Sequence, residues 1–176
     1  MLGEALDRLC DAVPPGGRVV DLGCGPGHDL ERLTSRGLTA VGVDLSLGML
    51  RRAAARAPGR LVAGDLRALP LRDGSCHGVW SSYALLHLSN DDLGVALAQV
   101  HRVLRPSGTA VLVLASAGGG CEQVAYVADQ ARVFFARSAE LVAELCRSAG
   151  LTVLAVDTDE HGWRAPVRVV AQRPAM

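Results

Sequence analysis

Apolar residues recur along the chain in two alternating patterns. Spacings of three and four residues are typical of amphipathic helices, whereas short continuous apolar runs are typical of buried strands. The helical spacing covers residues 2–13, 28–36, 46–56, 90–104 and 138–149. Strand-like runs cover residues 18–22, 39–43, 60–63, 77–81 and 109–114. Ser46 and Asn90 have side chains typical of N-caps, so we predict that they begin the third and fourth helices.

The last part of the chain departs from this alternation. A glycine tract at residues 118–120 is followed by residues 122–133, for which we predict helical turns. Residues 151–157 and 167–172 look like strands with no helix between them, which predicts an antiparallel hairpin. Five earlier strands alternating with helices predict a doubly wound, mostly parallel sheet. We therefore expect one α/β domain over residues 1–176, with a seven-stranded sheet that includes the C-terminal hairpin.

Composition narrows the classes of partner and location. The 18 basic and 18 acidic residues cancel, so we expect no nucleic-acid partner and no binding to a membrane surface. Apolar runs stay well short of the roughly 20 residues of a membrane-spanning helix, and we expect a cytoplasmic protein. The 5 cysteines are widely spaced and form no C-x-x-C pair, which favours free thiols over disulfides or a metal site.

The segment "VVDLGCGPGHD" joins the first predicted strand to the following helix. It contains three glycines, Gly23, Gly25 and Gly27. Glycine has no Cβ, so a ligand can approach this backbone closely. Asp44 ends the second predicted strand about 20 residues further on, where a carboxylate can accept hydrogen bonds from both ribose hydroxyls. A dinucleotide site needs the pattern G-x-G-x-x-G, but His28 occupies the last position. The pattern therefore favours a nucleoside cofactor without a pyrophosphate.

Five further segments follow the glycine loop in order along the chain. They are "VGVDLSLGMLRRA" at 41–53, "GDLRALPLRDGSCHGVW" at 64–80, "ALLHL" at 84–88, "HRVLRPSGTAVLV" at 101–113 and "SAELVAELCRSAGL" at 138–151. With the loop they resemble class I S-adenosylmethionine-dependent methyltransferases, particularly the small ubiquinone/menaquinone methyltransferase-like group, over nearly the whole chain. The resemblance implies a Rossmann-like methyltransferase fold, S-adenosylmethionine as cofactor, S-adenosylhomocysteine as product, and methyl transfer to an oxygen, nitrogen or carbon atom of a small organic molecule.

The resemblance also implies roles for particular residues. Asp21 would serve the methionyl end of the cofactor, the three glycines would line it, and Asp44 would hold its ribose. Asp65 would meet the adenine amino group. The side chains near the adenine ring would be Leu45, Met49 and Leu66. Ser81, which ends the fourth predicted strand, completes the predicted cofactor-binding set. One position departs from the family, because Cys76-His77-Gly78-Val79 stands where F-D-x-V is common, and His77 is therefore assigned no role.

Residues that face the methyl acceptor are harder to predict. His87 follows the fourth predicted strand at the ligand-binding edge, and histidine titrates near neutral pH, so it is the candidate general base; a structural role before Asn90 stays open. The candidate substrate contacts are Tyr83, His161 and Trp163. Because the segments around the acceptor are short, we expect an open site, an accommodating pocket, or closure by a second copy in a homodimer. Two alternatives stay open, namely a cofactor-binding accessory or regulatory subunit without turnover and an NAD(P)-dependent oxidoreductase.

Overall fold

The computed structural model describes residues 2–116, 121–128, 130–159 and 165–175. The helices in these ranges are α1 (Leu2–Ala12), α2 (His28–Ser35), α3 (Leu47–Ala53), α4 (Asn90–Val103) and α5 (Ala139–Ser148). The strands are β1 (Arg18–Leu22), β2 (Thr39–Asp44), β3 (Leu61–Ala63), β4 (Cys76–Ser82), β5 (Leu104–Ala115), β6 (Cys121–Ala128), β7 (Gln130–Arg137), β8 (Thr152–Thr158) and β9 (Pro166–Gln172). A single 3-10 turn, Leu85–His87, follows β4. None of these helices is both long and apolar enough to cross a bilayer.

Seven of the strands form one sheet in the order β3-β2-β1-β4-β5-β9-β8. The pairs from β3 to β5 are parallel, whereas β9 pairs antiparallel with both β5 and β8. The predicted doubly wound sheet with its C-terminal hairpin is therefore confirmed. The strand order reverses between β1 and β4, and ligands of such sheets bind at the carboxyl ends of the strands beside this reversal.

Apolar side chains cover both faces of the sheet. One face packs α4 and α5 around a cluster that includes Leu97 and Leu112. The other face packs α1 and α2 around a cluster that includes Leu9, Leu30 and Trp80. Burial on both faces explains why the parallel strands read as continuous apolar runs in the sequence. The resulting core holds the carboxyl ends of β1, β2 and β4 in fixed relative positions.

Two predicted boundaries need correction. Helix α4 has Ser89 as its N-cap, with the Asp92 N–H donating to Ser89 Oγ at 3.2 Å. The prediction of Asn90 as the cap was wrong by one residue, because the serine hydroxyl lies within reach of the free amide in the first turn. Strand β5 begins at Leu104 rather than at residue 109, and its pairing with β4 shifts register near Gly78.

The prediction of helical turns over residues 122–133 is wrong. Strands β6 and β7 form an antiparallel hairpin there, with Cys121 opposite Arg137 and Ala128 opposite Gln130. Residues 121–137 include three valines, one tyrosine and two phenylalanines, which favour strands because branched and aromatic side chains pack well on a pleated surface. Phe134 and Ala136 of β7 pack with Leu86 and Ala115. The hairpin is thereby attached to the segment that follows β4.

Candidate active site

The glycine loop lies at the carboxyl end of β1 and leads into α2. The N–H groups of Gly23 and Cys24 donate to the Val43 carbonyl of β2, at 2.7 and 3.1 Å. Gly23 has φ +69°, and a Cβ at this position would lie 2.1 Å from the Ala84 Cβ. Gly25 has φ +52° but faces open space. Glycine at position 23 is thus required by the protein's own packing, whereas at position 25 it leaves space for a ligand.

Asp44 connects the glycine loop to the end of β2. Its Oδ2 accepts a hydrogen bond from the Gly25 N–H at 2.9 Å, and its Oδ1 accepts one from the Ser46 N–H at 2.8 Å. The two bonds fix the orientation of the carboxylate without using all of its lone pairs. The remaining lone pairs can accept hydrogen bonds from the hydroxyls of a ribose.

A cavity of about 640 Å³ opens on one side of the loop. It brings together nine of the predicted site residues, namely Gly23, Gly25, Asp44, Leu45, Met49, Asp65, Leu66, Tyr83 and His87. Leu45 is 72% exposed, so a flat apolar ring bound in the cavity would cover side-chain surface that is otherwise in water. The other lining residues are Ser46, Arg67, Ala84, Leu88, Asp92 and Val133.

A second cavity of about 240 Å³ lies on the other side of the loop. It is lined by Asp21, Gly23, Cys24, Gly25, Pro26, His28, Asp29 and Ser82. Asp21 is buried, and its Oδ2 has no hydrogen-bond partner among the residues that the structure describes. Burial, followed by the nearby carboxylates of Asp29 and Asp44, raises the pKa of Asp21 well above its ordinary value. A buried carboxyl with one unpartnered oxygen fits a ligand that carries a positive charge, such as the ammonium of a methionyl group.

Ser81 and Gly27, which the sequence predicts to bind the cofactor, line neither of the two cavities. Ser81 is fully buried and donates its hydroxyl to the Leu22 carbonyl at 3.2 Å, so it joins β4 to β1. Gly27 is the N-cap of α2 in the left-handed conformation and does not line either cavity. His161 and Trp163 lie outside the described residues. Burial raises the pKa of the Cys24 thiol to about 12, which argues against a nucleophilic role for this residue.

Arg67 is a site residue that the sequence did not indicate. Its guanidinium donates to both oxygens of Asp65, with the shortest bond 2.7 Å, and to Asp92 at 3.3 Å. These hydrogen bonds lower the pKa of Asp65. The carboxylate that the family resemblance assigns to the adenine amino group is therefore oriented by an arginine that is itself held by the first turn of α4. The signal was hidden because Asp65 and Asp92 are distant in sequence.

The segment after β4 forms one wall of the large cavity. Tyr83 has φ +54°, an uncommon conformation for a residue with a bulky side chain, and its N–H donates to the Val113 carbonyl at 2.9 Å. His87 Nδ1 lies 3.2 Å from the carbonyl oxygen of Val133 in β7. A carbonyl can only accept, so Nδ1 carries the proton and Nε2 of a neutral ring keeps its lone pair. Backbone strain such as that at Tyr83 is concentrated at functional sites.

Arg137 attaches the β6–β7 hairpin to this wall. It is fully buried, and its Nε donates to Asn90 Oδ1 at 2.8 Å. Its remaining nitrogens donate to the carbonyls of Leu88 and Phe135. A buried arginine is stable only where acceptors surround it. Arg137 thus determines where β7, and with it Val133, lies relative to the cavity.

Residues 19–108, just over half of the chain, match the Methyltransferase domain family. Malonyl-[acyl-carrier protein] O-methyltransferase of Dechloromonas aromatica is 44% identical over 115 residues, which cover 63% of this chain and 41% of the relative. Demethylmenaquinone methyltransferase of Renibacterium salmoninarum is 38% identical over 99 residues, which cover 56% of this chain and 41% of the relative. The chain spans about two fifths of the length of these curated relatives.

Solved structures show the same fold at low sequence identity. An amino pentose methyltransferase from Micromonospora echinaspora with S-adenosylmethionine bound superposes with a TM-score of 0.77 at 22% identity, covering 97% of this chain and 89% of the other. A Burkholderia thailandensis 1,6-didemethyltoxoflavin-N1-methyltransferase with S-adenosylhomocysteine gives 0.79 at 22% identity, covering 97% and 77%. The family match and the sheet order together confirm the resemblance inferred from the sequence motifs. The chain belongs to the class I S-adenosylmethionine-dependent methyltransferases.

Proposed function

We propose that this chain transfers the methyl group of S-adenosylmethionine to an oxygen, nitrogen or carbon atom of a small organic molecule. The observation that carries the proposal is the pair of cavities that meet at Gly23 and Gly25. One is wide and lined by both apolar and charged side chains, and the other is lined by Asp21, whose Oδ2 has no hydrogen-bond partner among the described residues. This division suits a ligand with a nucleoside at one end and an amino acid at the other. Curated relatives with methyl-transfer names support the same activity.

The residues present fit the cofactor along its length. Asp44 would hold the ribose, Leu45, Met49 and Leu66 would pack near the adenine, and Asp65 would meet the adenine amino group. Asp21 would face the methionyl ammonium. When bound, S-adenosylmethionine supplies an electrophilic methyl group on a positively charged sulfur. The contribution of the chain is to orient that end of the cofactor toward the acceptor, and positioning of reactants can lower a barrier by about 7–11 kcal/mol.

The acceptor would enter between the segment after β4 and the hairpin. Tyr83, His87 and Val133 line this side of the large cavity and combine apolar surface with few polar groups, as small-molecule sites do. We propose that His87 Nε2 accepts a proton from an oxygen or nitrogen acceptor. General bases contribute about 10²- to 10⁴-fold to rate.

The role of His87 can be tested by comparing His87→Ala with His101→Ala, a histidine substitution on α4 outside both cavities. With an oxygen or nitrogen acceptor, His87→Ala should lower kcat by about 10²-fold or more and leave S-adenosylhomocysteine affinity unchanged. His101→Ala should leave both quantities unchanged. Full turnover by His87→Ala would show that His87 is a structural residue.

The acceptor can be sought by incubating the chain with isotopically labelled S-adenosylmethionine and a metabolite mixture, and searching for the labelled mass shift. Malonyl-[acyl-carrier protein] and demethylmenaquinone, which appear in the names of the relatives, are sensible first additions to that mixture. Acceptor-dependent formation of S-adenosylhomocysteine is the expected result. Cofactor binding without turnover for any acceptor would favour the accessory-subunit alternative.

The negative charges around the glycine loop argue against an NAD(P)-dependent oxidoreductase. Asp21, Asp29 and Asp44 surround the glycine loop, where a dinucleotide would place its pyrophosphate. Carboxylates repel that group, whereas they attract an ammonium. The cytoplasmic location, the homodimer, and the absence of nucleic-acid and membrane partners stay predictions from the sequence.

A further inference from the structure

Asp29 is a second carboxylate in the small cavity, and the family resemblance gives it no role. It lies in the first turn of α2, two residues after the glycine loop, and lines the cavity together with Asp21. Its side chain is only 18% exposed. A mostly buried carboxylate that lines the same cavity as Asp21 would face the same end of a bound ligand.

Trp80 holds the Asp29 carboxylate from inside the core. The register of β1 and β4 places Trp80 directly opposite Asp21, and the Trp80 side chain is fully buried. Trp80 Nε1 donates to Asp29 Oδ2 at 2.9 Å. A buried indole N–H requires an acceptor, so this bond fixes both the ring and the carboxylate. Trp80 therefore determines how far Asp29 stands from Asp21 across the cavity.

The charges around Asp21 and Asp29 favour binding of a positively charged ligand. Arg32 Nη1 is 3.5 Å from Asp29 Oδ1, but Arg32 is half exposed on the solvent side of α2, where water screens its charge. The Asp29 charge is also the largest charge contribution that raises the pKa of Asp21. A cation bound between the two carboxylates would relieve this repulsion.

We propose that Asp29 is a second carboxylate that binds the ammonium of the cofactor's amino-acid end, and that Trp80 is the positioning residue that holds it there. The inference rests on the proposed cofactor of the large and small cavities, and adds residues from α2 and β4 to its methionyl subsite. It requires that the amino-acid end, and not the nucleoside, be affected when either residue is changed.

Calorimetry with two ligands tests this requirement. S-adenosylhomocysteine carries the amino-acid end, whereas 5′-methylthioadenosine has the same nucleoside and a thioether without it. Asp29→Asn keeps an acceptor for Trp80 Nε1 but removes the charge. We expect it to raise the Kd for S-adenosylhomocysteine roughly tenfold while the Kd for 5′-methylthioadenosine changes less than about twofold.

Two further variants complete the test. Trp80→Phe removes the N–H donor and should shift the ratio of the two Kd values in the same direction. Glu31→Gln is the matched control, because Glu31 is on the same helix and is 63% exposed outside the cavity; its ratio should equal that of the wild type.

The outcomes separate the two proposals. An unchanged ratio in Asp29→Asn, or equal weakening of both ligands, would overturn the role of Asp29. For Trp80→Phe, binding of 5′-methylthioadenosine first shows that the protein is folded. An unchanged ratio of the two Kd values in that folded protein would overturn the positioning role of Trp80. Wild-type protein that binds neither ligand would overturn the proposed function, and this inference with it.

Discussion

The two sides of the large cavity are built in different ways. The cofactor side is formed by the carboxyl ends of neighbouring parallel strands, and backbone hydrogen bonds from Gly23 and Gly25 hold it together. The acceptor side is formed by the segment after β4 and by a hairpin about 50 residues further along the chain, which Arg137 attaches through its side chain. We therefore expect cofactor recognition to depend on local backbone geometry, and acceptor recognition to depend on one buried side chain and long-range packing.

Gly23→Ala should have the largest effect, because it affects the structure of the cofactor side itself. The added Cβ would lie 2.1 Å from the Ala84 Cβ at φ +69°, so we expect the free energy of unfolding to fall by roughly 4 kcal/mol, from overpacking together with left-handed strain. Gly37→Ala, at φ +79° in open space, is the control and should lose only about 1–2 kcal/mol. Chemical denaturation measures both. Equal losses would show that the contact with Ala84 is unimportant.

Arg137→Met should disturb the acceptor side and leave the cofactor side intact. It removes the donors to Asn90 and to the carbonyls of Leu88 and Phe135, so we expect roughly 2–3 kcal/mol of lost stability. Acceptor KM should rise while the Kd for S-adenosylhomocysteine stays within about twofold. Arg147→Met, on the exposed face of α5, should change neither constant. A parallel loss of cofactor affinity would mean that the two sides are not independent.

Asp21→Asn should raise the stability of the fold and weaken the binding of S-adenosylhomocysteine. The folded state raises the pKa of Asp21, so it retains a proton that the unfolded chain releases, and stability falls as pH rises above the ordinary value of 3.8. The amide lacks this penalty. We expect Asp21→Asn to be more stable than the wild type by roughly 1–3 kcal/mol at about pH 8, with a smaller gain at about pH 4.

Denaturation at both pH values, with calorimetry for S-adenosylhomocysteine, checks both effects. A variant that is less stable than the wild type at the higher pH would contradict the conclusion that the buried Asp21 carboxylate destabilises the folded state. Unchanged affinity for S-adenosylhomocysteine would contradict its role at the methionyl end.

Arg67→Gln should have the smallest effect. Hydrogen bonds from Arg67 lower the pKa of Asp65. The pair therefore stabilises the folded state at pH values above the ordinary pKa of Asp, and this stabilisation is lost as the pH falls through the lowered pKa of Asp65. The pair is exposed, and screening keeps its contribution small. We expect about a threefold weaker Kd, equal for S-adenosylhomocysteine and 5′-methylthioadenosine because both carry adenine. An effect on only one ligand would remove Asp65 from the adenine subsite.

The difference between the two sides also explains which features could be predicted from the sequence. The glycine loop, Asp44 and the alternation of strands and helices follow from local patterns, since a few adjacent residues determine each of them. Arg67 could not be identified, because its importance arises from Asp65 and Asp92, which only the folded chain brings together. Trp80 could not be identified either, because only the register of β1 and β4 places its indole beside the two carboxylates.

The β6–β7 hairpin shows why the helical prediction for residues 122–133 failed. A short segment with mixed apolar and polar residues satisfies helical spacing almost as well as strand spacing. The choice is made by tertiary contacts, since Phe134 and Ala136 pack with Leu86 and Ala115 only when β7 is extended. Burial of Arg137 fixes the same arrangement. Information about the acceptor side is thus distributed over distant residues.

The most direct test is a pair of calorimetric titrations of the wild-type chain, one with S-adenosylhomocysteine and one with NADH. The carboxylates around the glycine loop predict saturable binding of S-adenosylhomocysteine, with a Kd on the order of micromolar, and no binding of NADH. Binding of NADH without binding of S-adenosylhomocysteine would contradict the assignment of the two cavities to a nucleoside and an amino-acid end.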